Sequence, residues 1–234
     1  MPPPTRPDRK KPPRADRGAE KDPCRRAVGR PAGEQADLRD RLLDASVACF
    51  ARKGIAATSL REIAAEVGAT PALLHYYFGG KDALQAAVIE ERVMPLFGRL
   101  HKPLQHALDQ PRDLVHAIVR TVIATAMANP WLPQLWVREV LQEDGVLRSL
   151  MLERIGPLLP RLLSARLRAD QAAGLLNPRL DPRLLVPSII GQTMFLVAAA
   201  PIWRRLFDAD DIDAEALTRH ALTMLESGME LRDD

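Results

Sequence analysis

Apolar positions recur at helical spacing along most of the chain. From Gln35 to Lys53, Leu38, Leu42, Ala45 and Cys49 form one row, with Leu43, Ser46 and Phe50 beside it. That pattern predicts an amphipathic helix, and Gly54 ends it. Downstream, Leu60, Ile63, Ala64 and Val67 make a short apolar stripe, followed by Gly68. Leu74, Tyr77 and Phe78 give the next segment a buried side, and Gly79-Gly80 stops it. No segment alternates with period two, so no strand is expected.

The stretch Thr58–Leu84, TSLREIAAEVGATPALLHYYFGGKDAL, carries punctuation that turns these stripes into a motif. Ser59 with Glu62 has the spacing of a capping box. Gly68 suits a left-handed helix exit. Thr70-Pro71 opens the next helix with a side-chain cap and a proline at the first helical position. Small Ala64 and Ala65 allow the second helix to cross the first closely. Two short helices joined by a glycine turn define a helix-turn-helix. The exposed side of the second helix carries Ala72, Leu73, His75 and Tyr76 and no acid. DNA requires this, because phosphates repel carboxylates.

Further helices are predicted over 81–110 (kinked at Pro95 and Pro103), 111–128, 131–142, 146–173, 181–200 and 214–228. The expected fold class is all-α. Its parts are a basic Pro/Arg-rich arm (1–34), a three-helix helix-turn-helix head (35–84), and a helical ligand-binding and dimerisation body (85–234).

Composition fits that plan. Of 234 residues, 47% are hydrophobic and only 4% aromatic, a mixture that favours helices. Net charge is +3, so the location of charge matters more than its total. Over 1–34, ten basic against five acidic side chains leave +5 with almost no apolar residues. Such a segment cannot fold alone, and it would add non-specific DNA affinity. Cys24 and Cys49 make no disulfide framework, and the N-terminus lacks a secretory apolar region; a reduced cytoplasmic protein is expected. The apolar run Val186–Trp203 is interrupted by Pro187, Gln192, Thr193 and Pro201. It is read as a buried or interface helix and not a membrane span.

Enzymatic chemistry finds no foothold. G-x-S-x-G and H-E-x-x-H are absent, and His75 stands where a P-loop at Gly79-Gly80-Lys81 needs glycine. The five histidines lack metal-ligand spacing. No catalytic residue, metal or cofactor is expected.

Between Leu38 and Leu84, the segments LLDAS, CFARKG, ATSLREIAAEVGAT and LLHYYFGGKDAL resemble the tetracycline-repressor (TetR) family of bacterial regulators. The resemblance implies a homodimer that binds a palindromic operator, with a small molecule in the body releasing the DNA. Activator function, or a helical interaction protein without operator binding, is the alternative. Carried onto this sequence, the family pattern implies phosphate contacts from Thr58, Ser59 and Lys81, a cap from Thr70 near the DNA backbone, and Tyr76 and Tyr77 that contact phosphate or pack. It also implies that Arg61 reaches phosphate or base, that Ala72 and Leu73 touch thymine methyls, and that His75, where the family usually has tyrosine, donates to phosphate. In the body, Phe97, His101, His116, Met127, Trp131, Trp136, Met151, Met194, Phe195 and the polar Gln192 and Thr193 are candidates to line an effector pocket. Arg138-Glu139 reads as a solvated face. The final helix pair implies a dimer interface through Val186, Ile189, Ile190, Met194, Val197, Leu217, Ala221 and Leu225.

Overall fold

The computed structural model describes residues 32–99, 111–156 and 159–229, and all regular structure among them is helical. Helix α1 spans Ala32–Lys53, so the last three residues assigned to the basic arm are helical; residues 1–31 lie outside the described residues. Helices α2 (Leu60–Glu66) and α3 (Pro71–Phe78) form the helix-turn-helix. Helix α4 (Lys81–Val88) runs through a widened turn, Ile89–Val93, into residues 94–99. The body follows with α5 (Pro111–Ala128), α6 (Trp131–Glu139), and α7 (Val146–Leu150) with its widened extension Met151–Ile155. Then come α8 (Leu159–Ala172), α9 (Pro182–Ile190, continued to Ala198), α10 (Ala200–Leu206) and α11 (Ala214–Met229).

Proline chemistry explains where α4 departs from the expected kinked rod. Pro95 has no N–H to donate back into the helix. The chain adapts one turn earlier, where Met94 N–H reaches Ile89 O in a five-residue loop. The same device precedes Pro157, with Gly156 N–H on Met151 O at 2.6 Å. Pro103 lies outside the described residues.

Two apolar clusters hold the molecule. One gathers α5, α8, α9 and α11 through Val119, Ile123, Leu163, Leu167, Ile189 and Leu225. The other joins Leu42, Leu43 and Phe50 of α1, Ile63 of α2, Leu74 of α3, and Leu84 and Val88 of α4. This second cluster does not close at residue 84. It takes in Val93, Leu135 of α6 and Leu147 of α7, so the head is built on part of the body. Each fully buried leucine contributes about 1.5–3 kcal/mol.

Glu139 is not on a solvated face, contrary to the sequence reading. It is 4% exposed. Its Oε1 accepts the Ile55 N–H at 2.7 Å and its Oε2 accepts the Val146 N–H at 3.1 Å. One carboxylate thus ties the turn after α1 to the start of α7. Gly54 sits against it at φ 90°, where a Cβ would lie 3.1 Å from Oε1. A side chain there is strained by the left-handed backbone and crowds the carboxylate.

Half of the expected interface stripe faces inward. Ile189, Leu217, Ala221 and Leu225 are buried in the chain's own core, and Val186, Ile190, Met194 and Val197 pack partly against it. Apolar side chains on the outward sides of these helices are Leu184, Phe195 and Met224. Helix α9 is apolar on most of its circumference, so periodicity did not tell its inner stripe from its outer one. Among the described residues no single helix is long and apolar enough to cross a membrane; Pro182–Ala198 and Ala200–Leu206 reach that length only together, bent by 68°.

Replacing Glu139 with alanine strands the buried Ile55 N–H and the half-buried Val146 N–H. We expect a loss of about 2–4 kcal/mol in unfolding free energy, measured by urea denaturation. A cost below about 0.5 kcal/mol would show that water replaces the carboxylate.

Candidate nucleic-acid interface

Helix α2 begins as its sequence predicts. Ser59 Oγ accepts the Glu62 N–H at 3.3 Å, and Glu62 Oε2 accepts the Ser59 N–H at 2.9 Å. Gly68 provides the exit at φ 68°, and Ala69 N–H closes on Ala64 O at 2.8 Å. Thr70 occupies the N-cap of α3 with extended backbone, but its hydroxyl makes no capping bond. That hydroxyl stays exposed and available to another acceptor.

Helix α3 buries Leu74 and Phe78 and turns Pro71, Ala72, His75 and Tyr76 outward. Tyr76 is 75% exposed and meets the half-buried Tyr77 edge-on, with ring centroids 5.3 Å apart. Leu73 is half-buried and Arg61 is exposed on α2. Lys81 Nζ donates to Ala56 O at 2.8 Å, which pins the start of α4 to the turn that leads into α2. An ammonium has three donors, so two remain for an anion.

Thr58 departs from its expected role. It is 1% exposed, and its hydroxyl donates inward to Gly54 O at 2.7 Å. It locks the turn and has no hydroxyl to offer a phosphate. His75 departs too, since its Nδ1 lies 3.2 Å from Gly79 O.

On this side the two acids of α2 are neutralised by α1. Glu62 and Glu66 of α2 pair closely with Lys53 and Arg52 of α1. The Lys53 bond, then the Ser59 bonds, hold the Glu62 carboxyl down to about 2. Behind the face, Arg39 makes a two-pronged pair with Glu91 at 2.7 and 2.6 Å and lies over the Phe78 ring. Arg92 reaches Asp44 at 2.7 Å and Asp40 at 3.1 Å. Exposed pairs contribute little singly, but together these fix α1 against the widened turn of α4. None was anticipated from sequence, because partners 48 to 52 residues apart leave no periodic signal.

The proposed pocket residues are dispersed. Phe97, Trp136 and Met151 meet in an apolar cavity of about 10 Å3, walled also by Val93, Leu132 and Leu147. Phe97 and Leu132 separate it from a second cavity of about 30 Å3 lined by Leu96, Val122, Thr125 and Met194. Trp131 packs on the head cluster. His116 instead faces Glu226 at 2.7 Å between α5 and α11. Met127 is exposed, Phe195 is 68% exposed and Gln192 is half-buried. Thr193 bonds Ile189 O at 2.7 Å within its own helix and offers nothing to a ligand. His101 lies outside the described residues.

A capped helix, a left-handed glycine turn and a second helix with an outward acid-free face define a helix-turn-helix protein. Comparison with known proteins places that class more narrowly. Residues 42–88 match the model described as bacterial regulatory proteins, tetR family. Residues 111–227, half of the chain, match the tetracyclin repressor-like C-terminal domain. The chain belongs to the TetR family of bacterial regulatory proteins. The HTH-type transcriptional regulator BetI of Brucella canis is 33% identical over 97 residues, 41% of this chain and 48% of that protein. The chain thus spans about half the length of the curated relatives it matches. Among solved structures, the ketosteroid transcriptional regulator KstR2 of Mycobacterium tuberculosis aligns with TM-score 0.66 at 18% identity, over 83% of this chain and 96% of that one. FadR of Bacillus subtilis, solved with stearoyl-CoA, aligns with TM-score 0.59 at 20% identity, over 82% and 99%. At these identities the likeness is one of fold.

Lys81→Ala is expected to weaken DNA binding about three- to tenfold and to lower the slope of log affinity against log salt by roughly one. Thr58→Val should cost about 1 kcal/mol of stability with the salt slope unchanged. Salt-titrated mobility shifts and urea unfolding read both; an unchanged slope for Lys81→Ala would remove it from the interface.

Proposed function

We propose that the protein is a ligand-responsive transcriptional regulator that acts in the cytoplasm as a homodimer, repressing genes by binding a palindromic operator until a small apolar or amphipathic effector releases it. The observation that carries this reading is the outward face of α3, free of acids and flanked by Arg61, Ser59 and the two spare donors of Lys81. Two such faces must enter major grooves about one helical turn, roughly 34–36 Å, apart. A change in their separation is then enough to end binding. The head (35–84) supplies DNA contact and the body (85–234) supplies pairing and effector.

The effector enters between α4, α6 and α7. Its two cavities are almost wholly carbon-lined. An apolar chain that displaces Phe97 would join them, and the family relative solved with stearoyl-CoA supports a ligand of that shape. Phe97 lies on the continuation of α4, whose first residue is Lys81. Glu139 closes α6, which carries Leu132, Leu135 and Trp136 of the same cavity wall. A ligand there bears on the two helices that set the position of the head. It acts only as far as it favours the spread conformer over the DNA-bound one.

Genomic DNA pulled down on the full chain gives the operator, and a thermal-shift panel of fatty-acyl and other apolar compounds on the same protein gives the effector class. We expect a two-fold symmetric site, and at least one compound that both stabilises the protein and releases that site. Leu132→Trp, which fills the space, should keep DNA binding and lose the response. Recovery of no enriched DNA would contradict the regulator reading; an unchanged response in Leu132→Trp would place the effector elsewhere.

A further inference from the structure

The geometry points to His75 as a base-reading residue whose Nε2 accepts a hydrogen bond from the N4 amine of a cytosine in the major groove. This rests on the proposal that α3 enters that groove, and it specifies what α3 reads there.

Gly79 O lies 3.2 Å from His75 Nδ1. A carbonyl oxygen only accepts, so Nδ1 carries the proton of this contact. A neutral imidazole has one N–H, which leaves Nε2 with a bare lone pair. The Gly79 N–H in turn donates to His75 O at 2.8 Å. Residues 75 and 79 thus hold each other in both directions, and the ring is fixed at the outer face of α3, where His75 is exposed. The neutral ring held this way has no proton to give a phosphate. It presents an acceptor.

On the same face Pro71, Ala72 and Leu73 are apolar, and the Tyr76 hydroxyl is the other polar group. The major groove offers only two kinds of donor, the adenine N6 amine and the cytosine N4 amine. Guanine N7 and O6 and thymine O4 are acceptors and repel a lone pair. The adenine amine is flanked by acceptors on both sides, N7 of its own ring and O4 of the paired thymine. The cytosine amine has an acceptor on one side only, the guanine O6, and the carbon-bound C5 edge on the other. An acceptor set beside the apolar Pro71, Ala72 and Leu73 therefore favours cytosine. A mismatch sets acceptor against acceptor and leaves both unpaired.

Selection of bound sites from random duplexes by the full chain, followed by affinity measurements on the best site, tests this. Wild type should require cytosine at one position in each half-site, with other bases roughly tenfold weaker there. Replacing that cytosine with pyrimidin-2-one, which lacks the N4 amine, should cost the same roughly tenfold. His75→Phe should lose discrimination at that position alone and be indifferent to the analogue. His75→Gln, which keeps the helix and offers an acceptor beside a donor, should move the preference there to adenine. Equal weakening on all sequences in either variant would mean that His75 meets backbone and would overturn the assignment, as would unchanged preferences in both. Failure of wild type to select any DNA would instead sink the reading on which the assignment rests.

Discussion

The carboxylate of Glu139 is the joint on which this molecule turns. A buried charge is costly unless its lone pairs are used. Here the two oxygens are used by two backbone N–H groups, Ile55 in the head and Val146 in the body. The turn after α1 and the start of α7 therefore move together or give up these bonds. Gly54 leaves the space that this approach requires, and Thr58 closes the same turn from inside. The helix-turn-helix therefore does not hang from α4 alone. It is gripped at a second point by the end of α6.

That second grip gives the apolar interior a route to the DNA side. α6 contributes to the cavity wall through Leu132, Leu135 and Trp136 and to the joint through Glu139. α4 contributes through Phe97 at one end and Lys81 at the other. The pairs Arg39–Glu91 and Arg92–Asp44 bind α1 to the widened turn between those ends. A ligand between α4 and α6 thus works against two attachments of one small head. Two attachments resist gradual deformation and favour a switch between discrete arrangements.

The head was largely legible in the sequence because its signals are local. Ser59–Glu62, Gly68 and Pro71 each act within four residues, and each appears where its chemistry put it. What was not legible depends on distant partners. Thr58 looked like a phosphate ligand because its position at a helix start is ambiguous until the turn it closes is seen. Glu139 looked solvated because nothing nearby in sequence foretells an amide 84 residues away. In the body, uniform apolarity hid direction. Ile189 and Leu225 were read as facing a partner and face the core, whereas Phe195 was read as lining a pocket and faces outward. Of the predicted pocket, Phe97, Trp136 and Met151 come together, and His116 is engaged with Glu226.

The coupling of the turn after α1 to the start of α7 through the Glu139 carboxylate is tested most directly by amide hydrogen exchange at Ile55 and Val146. Both amides should be protected in the wild-type protein, and in Glu139→Ala, which removes both acceptor oxygens, both should exchange faster together, while amides within α2 and α3 keep their protection. Exchange of Ile55 at the rate of an open turn in wild type, or independent responses of the two amides to the substitution, would contradict the account.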